Sequence, residues 1–184
     1  MKENFTIIDK ETGKVYWISR AHAVAGFIMF KAVRGGDWRF LLEKRGPGCP
    51  DNVGKWCGIC GYLNWGETRK EALLRECYEE TGYKPDPDDV IELKVVDDPS
   101  KDARENIVTR YAIIADFDRI YDDMEDGVIS CDSLLRGGEP NEVSELKIFS
   151  KSEIEAMDSD EFAFGHKEII LETIQDLINK GYNF

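Results

Sequence analysis

The segment Thr68 to Gly82, TRKEALLRECYEETG, constrains the fold of this chain more than any other stretch. Thr68 with Glu71 three residues later has the spacing of a capping box, in which two side chains take up free backbone N–H groups at a helix start. Gly82 suits the stop, because helices commonly end on a residue of left-handed conformation. The spacing predicts a helix over Glu71 to Thr81. At about 100° per residue, Leu73, Leu74, Cys77 and Thr81 gather on a face that a sheet can cover. With Glu76 at zero, Glu80 lies at about 40° and Glu79 at about 300°, so three carboxylates share another face.

Strand-like segments supply the sheet. Phe5 to Ile8 and Lys14 to Ile18, joined through DKETGK, read as an N-terminal hairpin within residues 1–20. Ala23 to Ala32 reads as a buried strand, and Trp38 to Glu43 returns after a turn at Gly35 and Gly36. RGPGCPDNVGK, from Arg45 to Lys55, is a turn-rich loop, and Trp56 to Tyr62 a short glycine-laden strand. Val90 to Val96, Ile107 to Phe117 and Leu146 to Phe149 complete the strands. Ser150 with Glu153 proposes a second capping box. Lys167 to Asn179 reads as an amphipathic helix with Ile170, Ile174, Leu177 and Ile178 inward and Gly181 as its stop. No repeat or linker interrupts the pattern. The expectation is one domain over 1–184, an α/β fold with a mixed sheet covered on its faces.

Composition narrows the function classes. Of 184 residues, 42% are hydrophobic and 33% charged, the balance of a globular chain. The longest uncharged apolar run, Ala23 to Phe30, is far too short to span a membrane, and the residues after Met1 do not resemble a signal peptide. A cytoplasmic setting is the expectation. Five cysteines, an odd number, argue against a disulfide framework. A net charge of −13, from 24 basic and 37 acidic residues, argues against binding nucleic acid or an anionic membrane. A small phosphorylated substrate is still admitted if a metal supplies positive charge.

The glutamates pose the chemical question. Carboxylates on one helix face repel one another, and Arg75, four positions before Glu79, can neutralise one of them. Water or a cation must serve the others. Mg²⁺ takes oxygen ligands and keeps several waters, so an open helix face can seat it and leave positions for phosphate. On spacing alone a solvated acidic face is the favoured reading.

Residues Gly61 to Tyr83, GYLNWGETRKEALLRECYEETGY, resemble the signature of the Nudix hydrolase family. That signature runs glycine, five residues, glutamate, seven residues, Arg-Glu, a hydrophobic residue, any residue, Glu-Glu, any residue, glycine and a hydrophobic residue. Gly61, Glu67, Arg75, Glu76, Glu79, Glu80 and Gly82 fill the fixed positions, with Cys77 and Tyr83 at the hydrophobic ones. The resemblance implies a Nudix-like α/β/α sandwich. It further implies Mg²⁺-dependent hydrolysis, with Mn²⁺ as a substitute ion, of a nucleoside diphosphate linked to another moiety: ADP-ribose, a sugar nucleotide, a dinucleotide or a nucleoside triphosphate. Carried onto this chain, Glu76, Glu79 and Glu80 are the implied metal ligands. Glu67 and Arg75 support the loop and helix, and Gly61 permits close backbone approach. One departure stands out: relatives commonly read Pro-Gly-Gly at the entry, and this chain reads Ile59, Cys60, Gly61.

A general base to activate water is expected among Glu142, Glu79 and Glu80, with Glu142 favoured and Glu145 and Glu105 as further candidates. Arg45, Lys55 and Trp56 are candidate substrate contacts, two cations for phosphate and an aromatic ring for a base. Cys57 and Cys60 have redox or zinc spacing but lack a second pair, so packing is the expectation. His22 and His166 read as structural. Specificity is expected from the hairpin before Arg20 and the segment Asp118 to Asn141, with a homodimer allowed for. A non-catalytic nucleotide-binding protein is the competing reading.

Overall fold

The computed structural model describes residues 4–30, 38–102, 104–115 and 141–182, together with the backbone of 124–125 and 128–129. Most of the segment Asp118 to Asn141, expected to shape specificity, therefore lies outside the described residues.

Strands β1 (Phe5–Ile8) and β2 (Val15–Ile18) pair antiparallel as a small sheet of their own. Next come β3 (His22–Phe30), β4 (Arg39–Arg45), β5 (Trp56–Cys57), β6 (Ile59–Tyr62), β7 (Val90–Val96), β8 (Ile107–Ala115), β9 (Met124–Glu125), β10 (Val128–Ile129) and β11 (Val143–Ser150). Among the described residues these nine form one sheet, in the order β7-β8-β3-β4-β11-β10-β9. Strand β5 pairs with β4, and β6 with β3. The sheet is mixed, because β3 runs parallel to β8 while β4 and β6 run antiparallel to β3.

The apolar run of β3 is explained by burial on both faces. Val24, Ile28 and Phe30 point toward helix α1 (Arg69–Thr81), where Ala72, Leu73 and Cys77 complete one core. Phe27 and Met29 point the other way, with Phe40, Leu42 and Phe149. That second face is covered by α2 (Lys151–Ala156) and α3 (His166–Asn179), through Ile154, Ile170 and Leu177. Helices on both faces of a mixed sheet make an α/β/α sandwich.

Both predicted capping boxes form, Thr68 with Glu71 and Ser150 with Glu153. Gly82 ends α1 in the left-handed region, at φ 72°. Three details differ from the sequence reading. The segment Trp56 to Tyr62 is two strands broken at Gly58, whose N–H is taken by His166 Nδ1 at 3.1 Å. Ile178 is 50% exposed, and Thr173 takes an inward place on α3 instead. Trp56 is a core side chain, edge-on to Phe149 with ring centres 4.8 Å apart. Among the described residues no helix is long and apolar enough to cross a membrane.

Candidate active site

A cleft of about 540 Å³ opens where the edge of α1 meets strands β4 and β6. Six acidic residues line it: Glu43 from β4, Glu76 and Glu80 from α1, Glu142 from the turn before β11, and Asp51 and Asp102 from loops. Arg45 and Arg104 supply positive charge on its walls.

Arg75 organises the entry to α1. Its Nε donates to Glu67 Oε1 at 2.6 Å and its Nη2 to Glu67 Oε2 at 3.0 Å, a two-pronged pairing that suits the planar guanidinium. Its Nη1 donates to Glu76 Oε1 at 2.7 Å and Glu79 Oε2 at 2.8 Å, and Nη2 also reaches the Tyr62 carbonyl at 3.0 Å. The hydrogen bonds from Arg75, with one from the Asn64 N–H, hold the Glu67 carboxyl down to about 2. Strand β6, which carries Gly61 and Tyr62, is thereby tied to the helix.

The three helix glutamates, expected to share one face, have three separate environments. Glu79 stays with Arg75 and does not line the cleft. Glu76 lies against Gly61, where a Cβ would come within 2.0 Å of Glu76 Oε1. Burial pushes the Glu76 carboxyl up, opposed by Arg75 and reinforced by the charges of Glu79 and Glu142. Glu80 is only 8% exposed, and its Oε2 accepts the Cys60 N–H at 3.1 Å. Burial, then the charge of Glu43, pushes Glu80 well above the ordinary carboxylate range.

Glu43 escaped the sequence reading. It is 1% exposed, and its Oε1 accepts from Cys57 Sγ at 3.1 Å. Its Oε2 is buried without a hydrogen-bond partner, and burial pushes the group up to about 7. An acid directly after the apolar run Phe40 to Leu42, on the same strand, was the available signal. The neighbouring Arg45 is held by Asp51, through its carbonyl at 3.1 Å and Oδ1 at 3.4 Å. Arg104 also pairs with Asp51 and donates to the Tyr62 hydroxyl at 3.3 Å. Phe164, at a left-handed φ of 57°, presents its ring to both guanidinium groups, at 5.0 Å from Arg45 and 6.0 Å from Arg104. Arg104 and Phe164 were also unforeseen, because only tertiary contacts between loops bring them to the cleft.

Other candidates fall elsewhere. Trp56 belongs to the core, and Lys55 is not part of the cleft wall, so neither joins Arg45 there. Glu145 pairs with Lys44 at 3.4 Å, away from the cleft. Glu105 also stands outside the wall. The backbone of Glu142 is fixed, since its carbonyl accepts the Gly46 N–H at 2.5 Å and Cys49 Sγ at 3.1 Å. His22 bonds Thr109 Oγ1 at 2.8 Å, and His166 is a buried residue of the cleft lining. Among the described residues all four cysteines are free.

The NUDIX domain family model matches residues 20–172. The chain belongs to the NUDIX family. The fold is shared with solved NUDIX structures of low sequence identity. The NUDIX domain of Shewanella oneidensis NrtR, crystallised with ADP ribose, aligns with TM-score 0.64 at 18% identity, over 87% of this chain and 90% of that one. A mutT/nudix protein from Listeria innocua aligns with TM-score 0.62 at 20% identity, over 87% of this chain and 95% of that one. The bifunctional NMN adenylyltransferase/ADP ribose pyrophosphatase of Francisella tularensis, crystallised with AMP and a manganese ion, aligns with TM-score 0.56 at 18% identity, over 86% of this chain and 42% of that one. No curated protein matches the chain. NUDIX membership supports a pyrophosphohydrolase-type activity on a nucleotide diphosphate moiety.

The NUDIX site fits a hard divalent ion by its donor chemistry. Every acidic ligand candidate is a carboxylate, the donor Mg²⁺ and Mn²⁺ accept, and one buried carboxylate oxygen lacks any partner. Among the described residues, no three His, Cys, Asp or Glu side chains already converge as a ligand set, and Arg75 engages both Glu76 and Glu79.

Proposed function

We propose that this NUDIX protein hydrolyses a phosphoanhydride bond in a nucleoside diphosphate joined to a second group, with Mg²⁺ or Mn²⁺ as cofactor. The observation that carries this reading is that Glu76, Glu80 and Glu142 line one cleft with Arg45 beside helix α1. Glu76 and Glu80 would hold the ion, with Glu79 completing the set from its pair with Arg75. When bound, the ion offsets phosphate charge and polarises the bond that breaks. Arg45 and Arg104 contact the diphosphate oxygens. Glu142, fixed through its own backbone, orients the attacking water and accepts its proton. ADP-ribose heads the substrate classes, because two solved relatives carry that compound or its pyrophosphatase in their names.

The test is a panel of ADP-ribose, dinucleotides, sugar nucleotides and nucleoside triphosphates with Mg²⁺ and Mn²⁺, with products identified. Glu80→Gln and Glu142→Gln run beside the parent. We expect one substrate class to be cleaved to two phosphorylated fragments, or to a monophosphate and pyrophosphate. Each variant should lose about 100-fold or more in kcat. Tight nucleotide binding without cleavage of any substrate would instead favour the non-catalytic reading. Full activity in Glu80→Gln would sink the assignment of the site.

A further inference from the structure

Glu43 is outside the Gly61 to Tyr83 signature, yet its carboxyl is buried with one oxygen unpartnered. Strand β4 lies between β3 and β11, with Leu42 opposite Lys147 and Glu43 opposite Cys57 of β5. That frame holds the Glu43 carboxyl rigidly in the cleft wall, at 1% exposure. One of its oxygens accepts only from the weak Sγ donor of Cys57, and the other accepts from nothing. Among the described residues it is the sole buried side-chain oxygen in that position.

Its neighbour makes the situation sharper. The Glu43 carboxyl meets that of Glu80, which is also buried and faces the same cleft. Two carboxylates side by side away from water share either a proton or a cation. Arg45, nearest on the same strand, is already bonded to Asp51. An acid serving only to fill space would be matched or bettered there by an apolar side chain.

We propose that Glu43 is a further carboxylate for the divalent ion, seated with Glu80 on the cleft floor; the inference rests on the function proposed above. The site then draws its ligands from strand β4 as well as from helix α1.

The experiment titrates Mn²⁺ into the nucleotide-free full-length chain and follows free ion by electron paramagnetic resonance. The parent is compared with Glu43→Gln and Glu43→Asp, and Glu145→Gln serves as a control outside the cleft. We expect Glu43→Gln to lose one bound ion or bind it at least tenfold more weakly, and Glu43→Asp to weaken it similarly. The rise in Tm on adding Mg²⁺ should shrink in both, while Tm in EDTA stays at or above that of the parent. Parent-like stoichiometry and affinity in both variants overturn the inference. If Glu43→Gln does not fold, Glu43→Asp decides alone by the same measure. A parent chain that binds no Mn²⁺ overturns this inference and the proposed function together. A parent that binds the ion but cleaves nothing overturns only the function, since the Glu43 comparison is still read from binding.

Discussion

The carboxylate of Glu76 occupies the space where residue 61 would carry a Cβ: that carbon would stand 2.0 Å from Glu76 Oε1. The missing side chain at Gly61 is therefore part of the acidic site. Gly61→Ala should push the flexible end of Glu76 aside and leave the core alone. We expect about a 100-fold loss in kcat, with circular dichroism and Tm close to the parent. Parent-like kinetics would show that the Glu76 position is immaterial.

Removing the Arg75 guanidinium leaves Glu67, Glu76 and Glu79 without their shared cation. Arg75→Ala should lower Tm by about 5 °C, and Arg75→Lys should recover little of it. A lysine ammonium cannot reproduce the fork that reaches Glu67, Glu76, Glu79 and the Tyr62 carbonyl at once. Thermal unfolding of both variants checks the order.

His166 should stay neutral well below the ordinary histidine range. Burial, then the positive charges of Arg110 and Arg45, holds it down to about 3. Its Nδ1 accepts the Gly58 N–H, so the proton resides on Nε2. The folded state resists protonation that the unfolded chain accepts near pH 6.5. This contribution to stability is complete above pH 6.5 and is lost as pH falls toward about 3. Nitrogen-15 NMR of the ring should show the neutral Nε2–H form at pH 5; an imidazolium there would contradict it.

Gly26 and Leu73 should couple in a double-mutant cycle. A Cβ on Gly26 would lie 2.6 Å from Leu73 Cδ1, and Leu73 is wholly buried. Leu73→Ala should cost about 2–5 kcal/mol through the cavity it opens. Gly26→Ala should cost less in the Leu73→Ala background than alone, because the added methyl then enters vacated space. Denaturant unfolding of the four proteins measures the coupling.

Helix α1 was legible because its cap, apolar period and stop are all local, and β7 because Val90 to Val96 carries its own turn signals on both sides. The cleft was harder to read. Gly58 breaks the β5–β6 segment for reasons that lie far along the chain: a Cβ there would meet the Gly26 carbonyl at 2.7 Å, and its N–H is directed to His166. Glu80 looked exposed beside Glu76 because helical angles do not show which loop will close over a face. Trp56 looked available for a base because its burial depends on Phe149 and Phe162, which arrive with β11 and the approach to α3. The signature named the acids on the helix, but the strand and loop groups beside them, Glu43, Arg104 and Phe164, depended on pairing in three dimensions.

The pairing of β4 with β11 also sets a timetable for synthesis. Helix α1 can form from its own neighbours, but Leu42 waits for Lys147 before its strand has that partner. On the ribosome the acidic helix, with β4 and β6 beside it, thus emerges well before β11. Until β11 emerges, the nascent chain carries an unfinished sheet edge, and a pause between the two halves lengthens its exposure to other chains.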